Sequence, residues 1–312
     1  MSVRLAIVVP CCNEEQVLPE TLRRLIVLLD RMQEEKLIEL ESAIYLIDDG
    51  SRDQTWKIIH SMAQSDSRIR GIRLSSNRGH QNALLAGLLT AEGEAIVTVD
   101  ADLQDDINVI EEMVLRFRQG SEIVYGVRRS RASDTVFKRC TANLYYRLLR
   151  WMGADVVQGH ADFRLMGRRA VECLREYPEV NLFLRGIVPQ LGFATATVYY
   201  DRAARFAGET KYPLGRMLAL AIDGITSFSV TPLRIISALG FIICLMSLVM
   251  IAWIIYGHFV MHSTIPGWAS SVIPIYFLGG IQMLGIGIVG EYIAKMYLET
   301  KRRPRYIIER TV

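Results

Sequence analysis

Two stretches near the end of the chain carry no charged side chain: residues 235–257, between Arg234 and His258, and residues 263–290, between His262 and Glu291. No other property restricts the fold as strongly, because about 20 apolar residues suffice to cross a bilayer. The intervening segment GHFVMHSTIPGW has neither Lys nor Arg, whereas Arg234 precedes the first run and Lys295, Lys301, Arg302, Arg303 and Arg305 follow the second. By the positive-inside rule both outer ends of the pair face the cytoplasm. Two buried core helices are the alternative, and they leave that flank asymmetry unexplained. We therefore expect two membrane helices within residues 233–298, an external loop at 258–270 and a basic cytoplasmic tail at 299–312.

A mean hydropathy of +0.21 agrees with contact with lipid. The net charge of +3 is small, and no basic run interleaved with aromatics offers a base-stacking surface, so nucleic acid is not an expected partner. Cys11, Cys12, Cys140, Cys173 and Cys244 form no CxxC pair and no disulfide framework, which suits a reducing cytosol. The opening LAIVVPCC is short, lacks a cleavage-like pattern and runs directly into Asn13-Glu14-Glu15; it reads as a first strand rather than a signal peptide.

From residue 3 to about residue 127 the apolar runs RLAIVVP, AIYLIDDG, IRGIRLS, AIVTVDAD and EIVYGVR alternate with helical patterns. That alternation predicts βαβ units and a mostly parallel sheet covered on both faces. Three of the runs end in polar clusters: Pro10 to Glu15, Asp48 to Ser51, and Asp100 to Asp106. In open α/β sheets ligands bind beyond the carboxyl ends of the strands, so the three clusters should share one crevice. The segment PLGRMLALAIDGITSFSVTP, residues 213–232, spaces its apolar residues along one helical face. It fits both a helix lying on the membrane surface and a plain packing helix.

Asp100 and Asp102 are two residues apart, which in extended chain points both carboxylates the same way. With Gln104 they offer hard oxygen ligands to a divalent cation that keeps positions open for phosphate oxygens and water. Taken alone the triplet is weak, because a chain with 33 acidic residues contains such spacings readily. A solvated strand-to-helix turn explains it as well. Asp105 and Asp106 are expected to cap the next helix, starting it at Ile107. Asp48-Asp49-Gly50-Ser51 likewise has a simple turn reading.

The order of the clusters is more specific than any one of them. With VVPCCNEE after the first strand, LIDDGSRD after the second, VDADLQD after the fourth and the uncharged stretches following, the chain resembles the family 2 glycosyltransferases of GT-A fold. Within them it is similar to the polyprenyl-phosphate sugar transferases, a group that includes dolichyl-phosphate mannose synthases. The phrases GHADFRLM, NLFLRGI, AGETKY, DGITSFS, FLGGIQMLGIGIVGEYI and ETKRRPRYII resemble the bacterial bactoprenol (undecaprenyl-phosphate) glucosyltransferases of O-antigen modification, over essentially the whole chain. Two departures stand out: Cys12, where relatives often carry an aromatic or aliphatic residue, and His160-Ala161, which interrupt the usual Gly-Asp pair.

The resemblance implies a Rossmann-like GT-A domain at residues 1–212, facing the cytoplasm of a bacterial inner membrane, with the 213–232 helix and the two spans following. It implies transfer of a hexose, glucose from UDP-glucose, to undecaprenyl phosphate with inversion, helped by Mg2+ or Mn2+, in a homo-oligomer such as a tetramer. Pro10, Cys12, Glu14, Ile47 and Asp49 would lie near the base and ribose, and Asp100, Ala101, Asp102 and Gln104 near the diphosphate and its metal. A buried Asp49 can accept a hydrogen bond from the uracil N–H. Arg128 and Arg139 match positions used on phosphates, and Arg205 and Lys211 match a later basic pair for donor or acceptor phosphate. Asp162 stands where many inverting members carry a base.

The acceptor chemistry also has a physical side. A polyprenyl phosphate is largely ionised near neutral pH, its second pKa being about 6, so it needs cationic side chains more than a base. Arg128, Arg129, Arg131, Lys138 and Arg139 offer them, although the same cluster also fits a basic face resting on anionic head groups. Asp162 is then expected to orient groups, or to pair with Arg164. Of the other readings, a processive polysaccharide synthase would show QxxRW after Asp162, and the nearest match, RLLRW at 147–151, lies before it. A noncatalytic membrane scaffold would leave the acidic crevice without a task.

Overall fold

The computed structural model describes residues 2–129, 160–179, 184–201, scattered positions between 233 and 256, and 268–312. Its strands are β1 (Leu5–Cys11), β2 (Ala43–Asp48), β3 (Ile69–Leu74), β4 (Ala95–Thr98), β5 (Ile123–Arg128), β6 (His160–Gly167), β7 (Thr195–Tyr200) and β8 (Ile308–Thr311). The helices are α1 (Leu18–Glu34), α2 (Thr55–Ser65), α3 (His80–Thr90), α4 (Val109–Arg118), α5 (Arg168–Cys173), α6 (Leu184–Gln190) and α7 (Trp268–Lys301). Each of the five apolar runs is a strand.

The strands form one sheet in the order β7-β5-β6-β4-β1-β2-β3-β8. β1 runs parallel to β2 and β4, β2 to β3, and β5 to β7. Two insertions break the parallel pattern: β6 lies antiparallel between β4 and β5, and β8 antiparallel along β3. This is the α/β, Rossmann-like arrangement of a GT-A domain. β1 and β2 are buried at every position, as strands covered by helices on both faces must be.

α1 shows how the helices attach. Leu18, Leu22, Leu25, Leu29 and Met32 recur at three- and four-residue steps and are buried, while Arg23, Arg24 and Arg31 face solvent. Each such leucine contributes about 1.5–3 kcal/mol by leaving water. Pro19 suits the first turn, where its missing N–H removes no helical bond.

The last residues are more than a basic tail. Gly71 and Val312 exchange two backbone hydrogen bonds of 2.9 Å, and Ser75 N–H donates to the Ile307 carbonyl. A Cβ on Gly71 would sit 2.5 Å from Ile59 Cγ2 of α2 and 2.7 Å from Val312 Cγ2, so the approach of both side chains requires glycine there. The C-terminal strand thereby covers the β3 edge, which would otherwise present unpaired backbone groups.

The described residues divide into two compact units, one holding all eight strands and the residues from Arg302 onward, the other holding α7. α7 is 34 residues long, with Ile275, Phe277, Met283 and Ile286 each at least 65% exposed. Its portion Phe277–Lys301 has a mean hydropathy of 1.4 and is, among the described residues, the one helix long and apolar enough to cross a membrane. Exposed apolar side chains of that number mark a surface suited to contact with lipid or with another protein. The described positions between 235 and 256, within the first uncharged stretch, are helical. The 213–232 segment lies outside the described residues, and so does most of the 258–270 loop.

Candidate active site

Cys11 pairs with Asp48 and Val8 with Thr98, so the chains leaving β1, β2 and β4 emerge from one carboxyl edge of the sheet. Their first hydrogen bonds continue the ladder, Asp49 N–H to the Cys11 carbonyl at 2.9 Å and Val99 N–H to the Val8 carbonyl at 3.0 Å. Two residues with side chains adopt left-handed backbone at this edge, Asn13 (φ 56°) and Leu103 (φ 55°). Such conformations cost about 1–3 kcal/mol and cluster at functional sites.

The loop after β1 is stitched to the loop after β2. Asn13 N–H donates to Ser51 Oγ at 3.0 Å, Asn13 Oδ1 accepts from Arg52 N–H at 2.9 Å, and Glu14 N–H donates to Thr55 Oγ1 at 2.9 Å. Asp49, 3% exposed, spends both oxygens on the next loop, accepting the N–H groups of Arg78 (2.6 Å) and Gly79 (2.9 Å). Gly50 (φ 65°) allows this, since a Cβ there would lie 2.6 Å from Asn77 N. Asn77 Nδ2 in turn reaches the exposed Cys12 Sγ at 3.1 Å. Cys12, Asp49 and residues 77–79 thus make one rim. Pro10 and Ile47 lie buried within their strands, Ile47 with no exposed surface, so their side chains belong to the core beneath that rim.

Gly79 leads into α3, which begins with His80. His80 Nε2 lies 2.9 Å from Asp100 Oδ1, and His80 Nδ1 lies 3.8 Å from Asp162 Oδ2. Burial opposes a charged imidazolium, but the Asp100 hydrogen bond and the two carboxylate charges outweigh it and raise His80 above its ordinary value. Asp162 is surrounded by donors. Arg164 Nη2 donates to Oδ1 at 2.7 Å, Arg185 donates at 3.1 Å and 2.9 Å to the two oxygens, and Gln81 Nε2 donates to Oδ2 at 3.3 Å. Burial alone would push this carboxyl up; the Arg164 charge and the Arg185 bonds prevail and hold it well below the usual carboxylate range. Thr98 Oγ1 donates to the Asp162 carbonyl, fixing β6 against β4.

In the 99–106 segment, the Ala101 carbonyl accepts from Thr21 Oγ1 at 2.7 Å and Asp102 Oδ1 accepts the Gln104 N–H at 3.1 Å. Among the described residues no group of three or more His, Cys, Asp or Glu side chains converges to hold a metal ion unaided. Asp100, Asp102 and Gln104 supply oxygen atoms of the type that small divalent cations take, and such a cation would draw its remaining ligands from a diphosphate and water.

Asp105 and Asp106 do not cap the helix together. α4 begins at Val109, and Asp106 Oδ1 accepts the Asn108 N–H at 3.1 Å in the turn before it. Asp105 points the other way, into the protein, where its side chain is fully buried against Arg128 (3.0 Å) and Tyr200 (2.5 Å). A buried carboxylate needs a charged partner, and Arg128 supplies it. Arg128 therefore stands at the site edge already paired. Arg139, Arg205 and Lys211 lie outside the described residues.

Sequence reasoning passed over His80, Gln81, Arg185 and Tyr200. Arg185 lies inside the phrase NLFLRGI, and His80 follows Gly79, whose φ is positive, in the short link between β3 and α3, so the latter position carried a usable signal.

The family model described as glycosyl transferase family 2 matches residues 6–175. The chain is 52% identical over 307 residues to the uncharacterized glycosyltransferase YkoT of Bacillus subtilis (strain 168), covering 98% of this chain and 91% of that one. It is 39% identical to the prophage bactoprenol glucosyl transferase homolog of Escherichia coli (strain K12), covering 99% of each chain. It is also 39% identical to the bactoprenol glucosyl transferase of Shigella phage SfV, covering 98% of each.

Proposed function

Because the chain belongs to glycosyl transferase family 2 and is therefore a glycosyltransferase, we propose that it transfers glucose from UDP-glucose to undecaprenyl phosphate, with inversion, at the cytoplasmic face of a bacterial inner membrane. The observation that carries this choice is the state of Asp162. Held ionised by Arg164 and Arg185 and ringed by donors, it is poorly placed to take a proton. A site whose Asp162 is a poor base and is flanked by guanidinium groups suits a nucleophile that arrives already anionic, and a lipid monophosphate is one near neutral pH. The exposed apolar surface of α7 supports a lipid-borne acceptor.

In this proposal Cys12, Glu14 and Asp49 border the base and ribose, with Pro10 and Ile47 supporting them. Asp100, Asp102 and Gln104, beside Ala101, would hold Mg2+ or Mn2+, which when bound neutralises charge on the departing diphosphate. Arg128 and Arg139 would meet the acceptor phosphate, and Arg205 and Lys211 the donor or acceptor phosphate. Asp162 orients Arg185 and, through His80, Asp100. We further propose that residues 1–212 form the catalytic domain, that 213–232 lies at the membrane surface, and that two helices within 233–298 span the membrane of a homo-oligomer. The product would be a polyprenyl-phosphate sugar for modification of the cell envelope.

The test is transfer of radiolabel from UDP-glucose to undecaprenyl phosphate by the purified full-length protein, with and without EDTA. Metal-dependent label in the lipid phase is the expected result. Label from a different nucleotide sugar overturns the glucose assignment; no label in lipid from any donor overturns the acceptor assignment.

A further inference from the structure

We propose that Tyr200, acting through Asp105, is a positioning residue that locks the 100–105 segment, and with it Asp102 and Gln104, onto Arg128. The inference rests on the functional proposal above, in which that segment faces a divalent cation and a diphosphate.

Ten residues separate the end of β4 at Thr98 from the start of α4 at Val109, and they form neither helix nor strand. Leu103, in the middle, holds a left-handed backbone that a branched side chain does not adopt by preference. Contacts from other elements must therefore help to hold the segment in place. His80 meets Asp100, the Thr21 hydroxyl donates to the Ala101 carbonyl, and Asp105 is tied into the sheet. Asp102, Leu103 and Gln104 lie between the last two.

The Asp105 anchor is built by register. β5 and β7 run parallel with Arg128 directly opposite Tyr200, so the last side chains of both strands meet at one point. Tyr200 O–H donates to Asp105 Oδ1 at 2.5 Å, Arg128 Nη2 donates to the same oxygen at 3.0 Å, and Arg128 Nε donates to the Tyr200 oxygen at 3.1 Å. Among the described residues Asp105 Oδ2 is buried with no hydrogen-bond partner, so the contacts that hold the carboxylate there are those at Oδ1. Tyr200 is 2% exposed, and the edge of its ring packs on Phe163 with centroids 5.4 Å apart, which keeps the hydroxyl from swinging away. Burial and the adjacent carboxylate push the phenol up, so it stays a donor at every working pH. One hydroxyl thus ties the proposed diphosphate side of the site to an arginine proposed for the acceptor.

Tyr200→Phe removes that hydroxyl and leaves the ring packing. In the full-length protein, Mn2+ binding in the presence of UDP is read from the free-ion electron paramagnetic resonance signal, alongside transfer kinetics and a thermal melt. Loss of one charge-assisted hydrogen bond should raise the half-saturating Mn2+ concentration about tenfold, in binding and in turnover alike. Val198→Ala, two residues earlier on the same face of β7 and 2% exposed, is the control for general loosening of the sheet. It should lower the melting temperature while Mn2+ affinity stays at the wild-type value. Wild-type Mn2+ affinity in Tyr200→Phe, equal weakening in Val198→Ala, or no Mn2+ binding by the wild type would each overturn the positioning role. Wild-type protein that binds Mn2+ with UDP, yet moves no sugar to polyprenyl phosphate, would sink the acceptor assignment while the Tyr200 comparison still gives its answer.

Discussion

Replacing Asp162 with asparagine keeps its shape and removes the charge that neutralises Arg164. Both partners are deeply buried, with side chains 5% and 2% exposed and a contact of 2.7 Å. Among the described residues the other acceptor for the Arg164 side chain is the Leu184 carbonyl at 3.4 Å, too long for a strong bond. Removing one member of a buried pair typically costs about 3–5 kcal/mol, because the remaining charge stays in a low-dielectric setting. Arg185, with its side chain 42% exposed, can turn to water and adds little. At about 2–4 °C per kcal/mol for a domain of this size, the melting temperature should fall by roughly 6–20 °C. The assay is a thermal melt of the full-length protein in detergent, followed by near-ultraviolet circular dichroism. Adding Arg164→Met to Asp162→Asn removes the stranded charge and should recover much of the loss. The sign with pH is fixed by the depressed value of Asp162: its contribution is complete above the unfolded value of about 3.9 and disappears as pH falls through the folded one. His80, which the Asp162 charge helps to raise, adds a smaller contribution that is present in mild acid and lost as pH rises through its own range, so the deficit should ease slightly on that rise, persist to about pH 9 and shrink only in stronger acid. A deficit below about 2 °C at neutral pH, or one that does not shrink as pH falls below about 4, would refute the ionised, paired Asp162.

Three further outcomes follow from the same geometry. Asp102→Asn should lower metal-dependent transfer by about 100-fold or more while leaving membrane insertion intact; retained turnover in the labelling assay removes Asp102 from the metal set. Asp49→Ala strands the Arg78 and Gly79 N–H groups, costing about 2–4 kcal/mol in a denaturant melt and weakening UDP binding measured by calorimetry. Truncation after Ile307 strips β8 from β3 and takes Glu309 from Arg73, so the exposed edge should promote association; a size-exclusion profile and melting temperature equal to wild type would show that β8 is dispensable.

The main lines of the fold were legible because they are local. An apolar run that ends in Asp, Asn or Gly marks the end of a strand wherever that strand sits in the sheet, so β1, β2 and β4, and the clusters beyond them, stand out in the chain itself. β8 was not legible: IERT is four exposed residues with no periodicity, and its strand character comes only from the β3 edge beside it. β6 was visible as the phrase HADFRLM, yet nothing in it says that it runs antiparallel between β4 and β5.

The same division explains which site residues the chain alone could single out. Asp100 and Asp102 depend on their own spacing and on the strand just before them, which any local rule can see. Asp105 looks equally local, an acidic residue ahead of a helix, and the capping rule applied to it is sound for an exposed side chain. What decides its role is Arg128, 23 residues on, and Tyr200, 95 residues on, meeting because β5 and β7 pair in that register. Asp162 is settled in a similar way, by Gln81 across 81 residues and by Arg185 from α6. The DLQD run therefore splits where the chain alone shows no seam: Asp102 remains at the edge of the crevice, while Asp105, three residues later, is drawn into the protein by partners that only the folded sheet supplies.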